Sequence, residues 1–162
     1  MMKIRNAEIA DLDAVLVLSE QIGMLHFENA PLAFKKPSAA DKPFWLNVLN
    51  DESTLFLLAE TERQVVGFLT ATITKNETIP FIVSCPICCI RTIVVDEKHR
   101  ASGIGTKLMS ACERWAKSQG AEQIRLEVMA FNQSAQQFYQ QLGFQDQSHI
   151  MCRHLNSTDL TR

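Results

Sequence analysis

The residues best suited to chemistry lie between Ile93 and Thr106, read Ile-Val-Val-Asp-Glu-Lys-His-Arg-Ala-Ser-Gly-Ile-Gly-Thr. A β-branched apolar run passes through charged residues to two glycines and then into an amphipathic pattern. That order predicts a strand, a glycine loop and a helix. The first N–H groups of a helix have no partner inside it and lie at the positive end of its dipole. An anion, most often a phosphate, completes such a junction. Arg100 adds a fixed positive charge, and Gly103 and Gly105 let a ligand approach the backbone with no Cβ in the way. Two further groups stand apart from this run. Glu127 alternates away from the apolar Leu126 and Val128, and Tyr139 is the single tyrosine of the chain.

A Gly-x-Gly pair alone is a weak signal. The dinucleotide fingerprint needs a third glycine where Leu108 stands, and a P-loop needs Gly-Lys-Ser/Thr where the chain reads Gly105-Thr106-Lys107. Neither fits. The five cysteines include one Cys-x-x-Cys, Cys85-Pro-Ile-Cys88, with no second ligand pair at zinc-site spacing. Small apolar residues near strands are the simpler reading, and no metal is expected.

The elements that must position these groups follow from periodicity. Lys3 to Ala7 reads as an opening strand. Asp11 is placed to cap a helix to about Leu25, with Leu12, Val15, Leu16, Ser19 and Ile22 on one face. Residues 26–43 read as a loop with several prolines, and Asp41 and Pro43 open a shorter helix with Trp45, Val48 and Leu49 inward. Thr54 to Glu60 and Val65 to Thr74 form a hairpin about the polar turn Thr61-Glu62-Arg63-Gln64, with Gly67 as a candidate bulge. Ile87 to Val95 is the strand before the glycine loop. The helix from Gly103 to Gln119 buries Ile104, Leu108, Met109, Cys112, Trp115 and Ala116 and ends at Gly120. Gln123 to Met129 predicts a strand, and Asn132 to Leu142 a last helix, capped by Asn132 or by Ser134 with Gln137. Phe144 to Leu155 is weakly strand-like. The hairpin and the two strand–helix–strand crossovers imply a mixed sheet with helices on its faces, an α/β (α+β) fold.

A length of 162 residues predicts one domain, here 1–155, with a polar tail over 156–162. The net charge of −2 and the lack of a basic block argue against nucleic-acid binding. No apolar run approaches the roughly 20 residues of a membrane span, and no signal peptide is evident at the start. An odd number of cysteines without framework spacing predicts a reducing, cytoplasmic home.

Arg100-Ala-Ser-Gly103-Ile-Gly105 resembles the Arg/Gln-x-x-Gly-x-Gly/Ala signature of the GNAT acyltransferase superfamily. Leu126-Glu-Val-Met-Ala-Phe-Asn132, Ala135, Phe138-Tyr139 and Leu142-Gly-Phe144 resemble the second signature of that family. The resemblance is sharpest from Cys89 to Phe144. One departure is Ala101, where many members have glycine; it matters if that residue needs a positive φ. The resemblance implies a mostly antiparallel mixed sheet with splayed central strands, and acetyl-coenzyme A as co-substrate. By the same resemblance the diphosphate takes the amides of Ala101, Ser102, Gly103, Ile104, Gly105 and Thr106. The pantetheine arm runs along Ile93, Val94 and Val95, with Asn132 binding it further on.

The implied reaction is acetylation of a primary amine in a ternary complex. Glu127 is the candidate base and Tyr139 the candidate acid for the departing thiolate. A backbone N–H near Val94 or Val95 is the candidate oxyanion donor. A non-catalytic acyl-coenzyme A sensor is the alternative. His26, Glu28, Phe27, Phe34 and Trp45 are weaker candidates for an acceptor pocket, with a surface loop or a sheet cover as the plainer readings. His99 reads as solvated, and His149 and His154 as structural. The partners implied are acetyl-coenzyme A and an amine, small molecule or peptide, with homodimers common in the family.

Overall fold

The computed structural model describes residues 1–156. They fall into two compact units, Met1–Glu127 and the part that begins at Val128. The expected tail over 156–162 lies, from residue 157 on, outside the described residues.

The first unit is built on a five-stranded sheet in sequential order. Its strands are β1 (Met2–Asn6), β2 (Leu55–Thr61), β3 (Gln64–Thr74), β4 (Ile87–Val95) and β5 (Gln123–Arg125). The first three pairings are antiparallel and β4–β5 is parallel. The helices are α1 (Leu12–Asn29), α2 (Asp41–Asn50) and α3 (Ile104–Ser118). The mixed sheet with helical cover therefore stands as the residue pattern implies.

On one face of the sheet, Val15 and Leu18 of α1 and Trp45 of α2 pack on Phe56, Leu58, Phe68 and Val94. Phe68 is fully buried, and its ring lies 5.2 Å from Trp45 and 5.3 Å from Phe56, measured between centroids. Burying one such side chain is worth about 2–3 kcal/mol. Trp45 is thus a core residue that covers the sheet. On the other face α3 contributes Ile104, Leu108, Met109, Cys112 and Ala116. The helix ends in two bonds that wrap its last turn, Ala121 N–H to Ala116 O at 2.9 Å and Gly120 N–H to Lys117 O at 3.0 Å. Gly120, at φ 79°, supplies the left-handed residue this ending requires.

Two irregularities shape the sheet. In the β2–β3 ladder Ala59 pairs with Gly67 and Glu60 with Val65, so Val66 is an extra residue beside the glycine. In the β3–β4 ladder Thr70 pairs with Thr92 and Ala71 with Ile90, which leaves Arg91 as the extra residue. One extra residue exchanges the two faces of a strand. Val94 therefore packs under α1 and α2, while Cys88 lies against α3 with its sulfur 3.8 Å from that of Cys112.

Several local expectations need correction. Helix α1 runs on to Asn29, past Leu25. Asp11 precedes it but makes no side-chain cap. Its carboxylate instead takes both terminal nitrogens of Arg5, at 2.8 and 2.9 Å, and the Glu8 amide at 2.7 Å. An available guanidinium is a stronger partner than a helix amide. Strand β5 stops at Arg125 rather than Met129.

The second unit, described by itself, contains α4 (Gln133–Gln141). Asn132 is its cap and accepts from Ala135 N–H at 3.2 Å, which decides between Asn132 and Ser134. Gly143, at φ 92°, ends it. The weak strand expected over Phe144 to Leu155 does not form among the described residues. Gln145-Asp-Gln-Ser-His149 is polar at every position, so no face of a strand there would be buried.

Candidate functional site

Strand β4 is bonded on both sides only over its first three residues. Ile87, Cys88 and Cys89 pair with Gln123, Ile124 and Arg125, and the β4–β5 ladder then ends. The β3–β4 ladder continues to the pair Gly67–Val95. The bulge at Arg91 falls just past the last β5 pair, and a bulge bends the strand that carries it.

The direction of the exposed groups on β4 follows from one hydrogen bond. Asp96 N–H donates to Val66 O at 2.8 Å. Hydrogen-bonded pairs in an antiparallel ladder recur every second residue, so Phe68 and Val94 form the preceding one. The amides and carbonyls of Ile93 and Val95 then point the other way, to the side that β5 has left. Arg100 Nε donates to the Val95 carbonyl at 3.3 Å. The Val95 N–H is the group that edge still offers near the strand end, whereas the Val94 N–H faces β3.

After β4 a single 3₁₀ turn, Glu97–His99, leads into the loop. Ala101 has φ 63° and Gly103 has φ 82°. Ala101 does adopt the left-handed conformation that glycine takes freely and alanine at a cost of about 1–2 kcal/mol. Gly103 is the residue before α3, and a Cβ built on it meets nothing within 4 Å. The first N–H bonded within α3 is that of Lys107, to Gly103 O at 3.1 Å. The amides of Ile104, Gly105 and Thr106 precede it and have no helical acceptor. Free amides, a helix dipole, open space over Gly103 and the exposed Arg100 make a cradle that fits a diphosphate. No group of three or more metal-ligating side chains is present among the described residues.

Behind the loop lies a side-chain network that residue patterns did not reveal. Asp96 is buried. Its carboxylate accepts from Gln21 Nε2 of α1 at 3.0 Å and lies 2.8 Å from His99 Nδ1. Those bonds, the Gln21 bond foremost, hold its pKa below the ordinary carboxylate range. Gln21 Oε1 also accepts from the Glu97 amide at 3.1 Å. His99 is therefore a bonded, half-buried residue rather than a solvated one. Beside the network is a groove of about 460 Å³ whose lining includes Glu20, Gln21, Met24, Glu28, Glu97 and Arg100. Glu28 reaches this groove. His26 bonds the Ile22 carbonyl at 2.8 Å and stacks edgewise on Phe34 at 4.7 Å.

The first unit thus brings together Ile93, Val94, Val95 and the loop from Arg100 to Thr106. Glu127 is its last residue and is exposed. Asn132 and Tyr139 belong to the second unit. The Asn132 oxygen is committed to the cap, which leaves its Nδ2 as the donor it has to offer. Tyr139 packs against Phe138 and Phe144 at 5.4 and 5.8 Å, and burial pushes its phenol above the ordinary tyrosine value. His149 and His154 are exposed.

Comparison with known proteins agrees with this architecture. The Acetyltransferase (GNAT) family profile matches residues 22–144. An N-alpha-acetyltransferase of Sulfurisphaera tokodaii is 28% identical over 149 residues, 89% of this chain and 80% of that protein. The structure of a tetramutant of the BH1408 protein from Bacillus halodurans superposes with a TM-score of 0.89 at 24% identity, covering 94% of this chain and 99% of that one. The structure of AAC(6')-Iy in complex with the bisubstrate analog CoA-S-monomethyl-acetylneamine has a TM-score of 0.72 at 22% identity, covering 97% and 99%. The two structural likenesses show a shared fold.

Proposed function

The chain belongs to the GNAT acetyltransferase family and is an acyltransferase, and from that premise we propose that it moves the acetyl group of acetyl-coenzyme A to a primary amine. The single observation that carries the reading is the parting of β4 and β5 at Cys89–Arg125, immediately ahead of a helix start with free amides. The parting leaves β4 open from Ile93 to Val95 for an extended pantetheine arm, which the outward groups of Ile93 can bond, and the cradle offers its diphosphate an anion site. The neighbour held with a coenzyme A bisubstrate analog supports the same donor.

The chemistry is then direct attack within a ternary complex. The ammonium form of the acceptor cannot attack, so Glu127 takes its proton, directly or through water. The freed nitrogen lone pair forms a bond to the thioester carbonyl carbon. The carbonyl oxygen gains the negative charge, and the Val95 N–H receives it. The oxyanion re-forms the carbonyl as the carbon–sulfur bond breaks with its electrons on sulfur. The Tyr139 hydroxyl, held protonated by a pKa above the ordinary tyrosine value, protonates the thiolate. The phenolate so formed takes the surplus proton of the acylated nitrogen, which leaves a neutral amide. Holding amine and thioester together contributes much of the acceleration. The resemblance to an N-alpha-acetyltransferase makes a peptide α-amine the first acceptor class to test. The acidic groove beside α1 suits a positively charged acceptor.

The test is an acceptor screen with acetyl-coenzyme A and free-thiol detection, covering peptides with free N-termini, lysine peptides, polyamines, amino acids and aminoglycosides. Acceptor-dependent thiol release supports the reading. Tight coenzyme A binding without turnover across the whole panel would overturn it in favour of a sensor. Gly103→Trp should abolish coenzyme A binding; the space over Gly103 is open, so the fold should survive the roughly 1–2 kcal/mol that a φ of 82° costs a residue with a Cβ, as a denaturation curve will show.

A further inference from the structure

Helix α1 contributes one side chain to the far side of the glycine loop, and that side chain makes two bonds. Gln21 Nε2 donates to Asp96 Oδ1, and Gln21 Oε1 accepts from the Glu97 amide. Asp96 passes the connection on, since its second oxygen meets His99 Nδ1 and its carbonyl accepts from the His99 amide at 2.8 Å. The His99 carbonyl in turn accepts from the Ser102 hydroxyl. A continuous chain of bonds thus runs from α1 to the residue just before Gly103. The backbone it spans includes Ala101 in a conformation that alanine does not choose by itself. Something must hold that bend, and the buried carboxylate with its two partners is the part of the structure built to do so.

We propose that Gln21 and Asp96 are positioning residues for the coenzyme: they fix the bend from Glu97 to Ser102 that turns the first amides of α3 toward the diphosphate. The inference rests on the reading of that loop as the coenzyme site. Neither residue is required to touch the ligand. Their effect is to hold the cradle in its binding shape before the ligand arrives, so that binding does not have to order it.

The experiment measures coenzyme A binding by titration calorimetry for the wild type, Gln21→Met, Asp96→Ala, Asp96→Asn and the double variant Gln21→Met/Asp96→Ala. Gln21→Met keeps the length of the side chain and removes both bonds. Loss of a hydrogen bond to a charged group corresponds to roughly a tenfold rise in Kd. Gln21→Met and Asp96→Ala should each show such a rise, and the double variant should be no weaker than the worse single one, because both break the same chain of bonds. Asp96→Asn retains an acceptor for Gln21 and should bind nearly as the wild type does. A general loss of stability would not produce that pattern of non-additivity and rescue. If Asp96→Ala fails to fold, the half-buried Gln21→Met alone decides. Unchanged Kd in Gln21→Met, or additive losses in the double variant, would overturn the proposal. A wild type that does not bind coenzyme A would instead overturn the reading of the site itself.

Discussion

Cys89 pairs with Arg125, and the parallel ladder between β4 and β5 ends at that pair. Two residues later Arg91 interrupts the other ladder of the same strand as a bulge. A strand that bends where its neighbour departs leaves a row of backbone groups on one side without a sheet partner. On β4 those groups belong to Ile93 and Val95, and the strand leads straight into the glycine loop.

The conformation of Ala101 makes the first prediction. Its φ of 63° strains a residue with a Cβ and costs glycine nothing. Ala101→Gly should therefore raise unfolding stability by about 0.5–1 kcal/mol in urea titration, after the larger chain entropy of glycine is deducted. Coenzyme A affinity should be retained, because the backbone amide is unchanged.

Tyr139→Phe should lower kcat about a hundredfold and leave KM for acetyl-coenzyme A nearly constant, in line with the loss of a general acid. The sign of its pH dependence follows from burial. The folded state raises the phenol above its ordinary value of about 10, so the proton is held more tightly in the folded protein. The associated stability is complete below the unfolded value and is lost as pH rises through the folded one. The alkaline limb of the wild-type pH–rate profile should accordingly lie above about 10 and be missing in the variant.

Glu127→Gln should remove the acid limb of the same profile and lower kcat/KM by about a hundredfold with an acceptor that is protonated at neutral pH. A profile identical to that of the wild type would transfer the base role to another group.

Gly67→Ala tests how α3 is seated. A Cβ at position 67 would lie 2.9 Å from the Val94 carbonyl oxygen and 3.2 Å from Ile104 Cγ2. The first neighbour is backbone and cannot yield cheaply. The variant should be destabilised by about 1–3 kcal/mol. It should also bind coenzyme A more weakly, because Ile104 is the first residue of α3. Chemical denaturation and calorimetry on the same sample separate the two effects.

The Arg5 cluster predicts behaviour in acid. Arg5 reaches Asp11 at 2.8 Å and Glu60 at 2.6 Å, and the bond to Arg5 holds the Asp11 carboxyl below its ordinary value. A lowered folded value contributes stability that is present above about pH 4 and lost as pH falls through the folded value. Asp11→Asn should thus cost about 1 kcal/mol at neutral pH. The difference between variant and wild type should disappear in strong acid, as denaturation curves taken down a pH series will show.

Much of the molecule was legible because its signals are local. The bounds of β4, the apolar strip on α3 and the role of Gly120 each depend on residues within a turn or two of one another. The glycine loop was legible for the same reason. What was not legible depends on partners far apart in the chain. Gln21 meets Asp96 across 75 positions, and nothing in the pattern of α1 marks it out. Asp11 had the type and place of a cap, but Arg5 competed for it and won. The residues after Arg125 alternate as a strand should, yet a bulge in the neighbouring strand removed the partner they needed. Alternation reports what a segment can pair with, not whether the other strand stays alongside.

The turn that joins β2 to β3 is made by Glu62 and Arg63, with φ of 51° and 64°. Asparagine and glycine are at ease in that conformation, and neither residue present is one of them. The hairpin closes anyway, driven by the apolar strands it connects. The protein therefore tolerates avoidable tension at a bend with no assigned part in the chemistry, and its thermal endurance sits below the ceiling its architecture permits. An engineer seeking a hardier catalyst has an opening at those two positions.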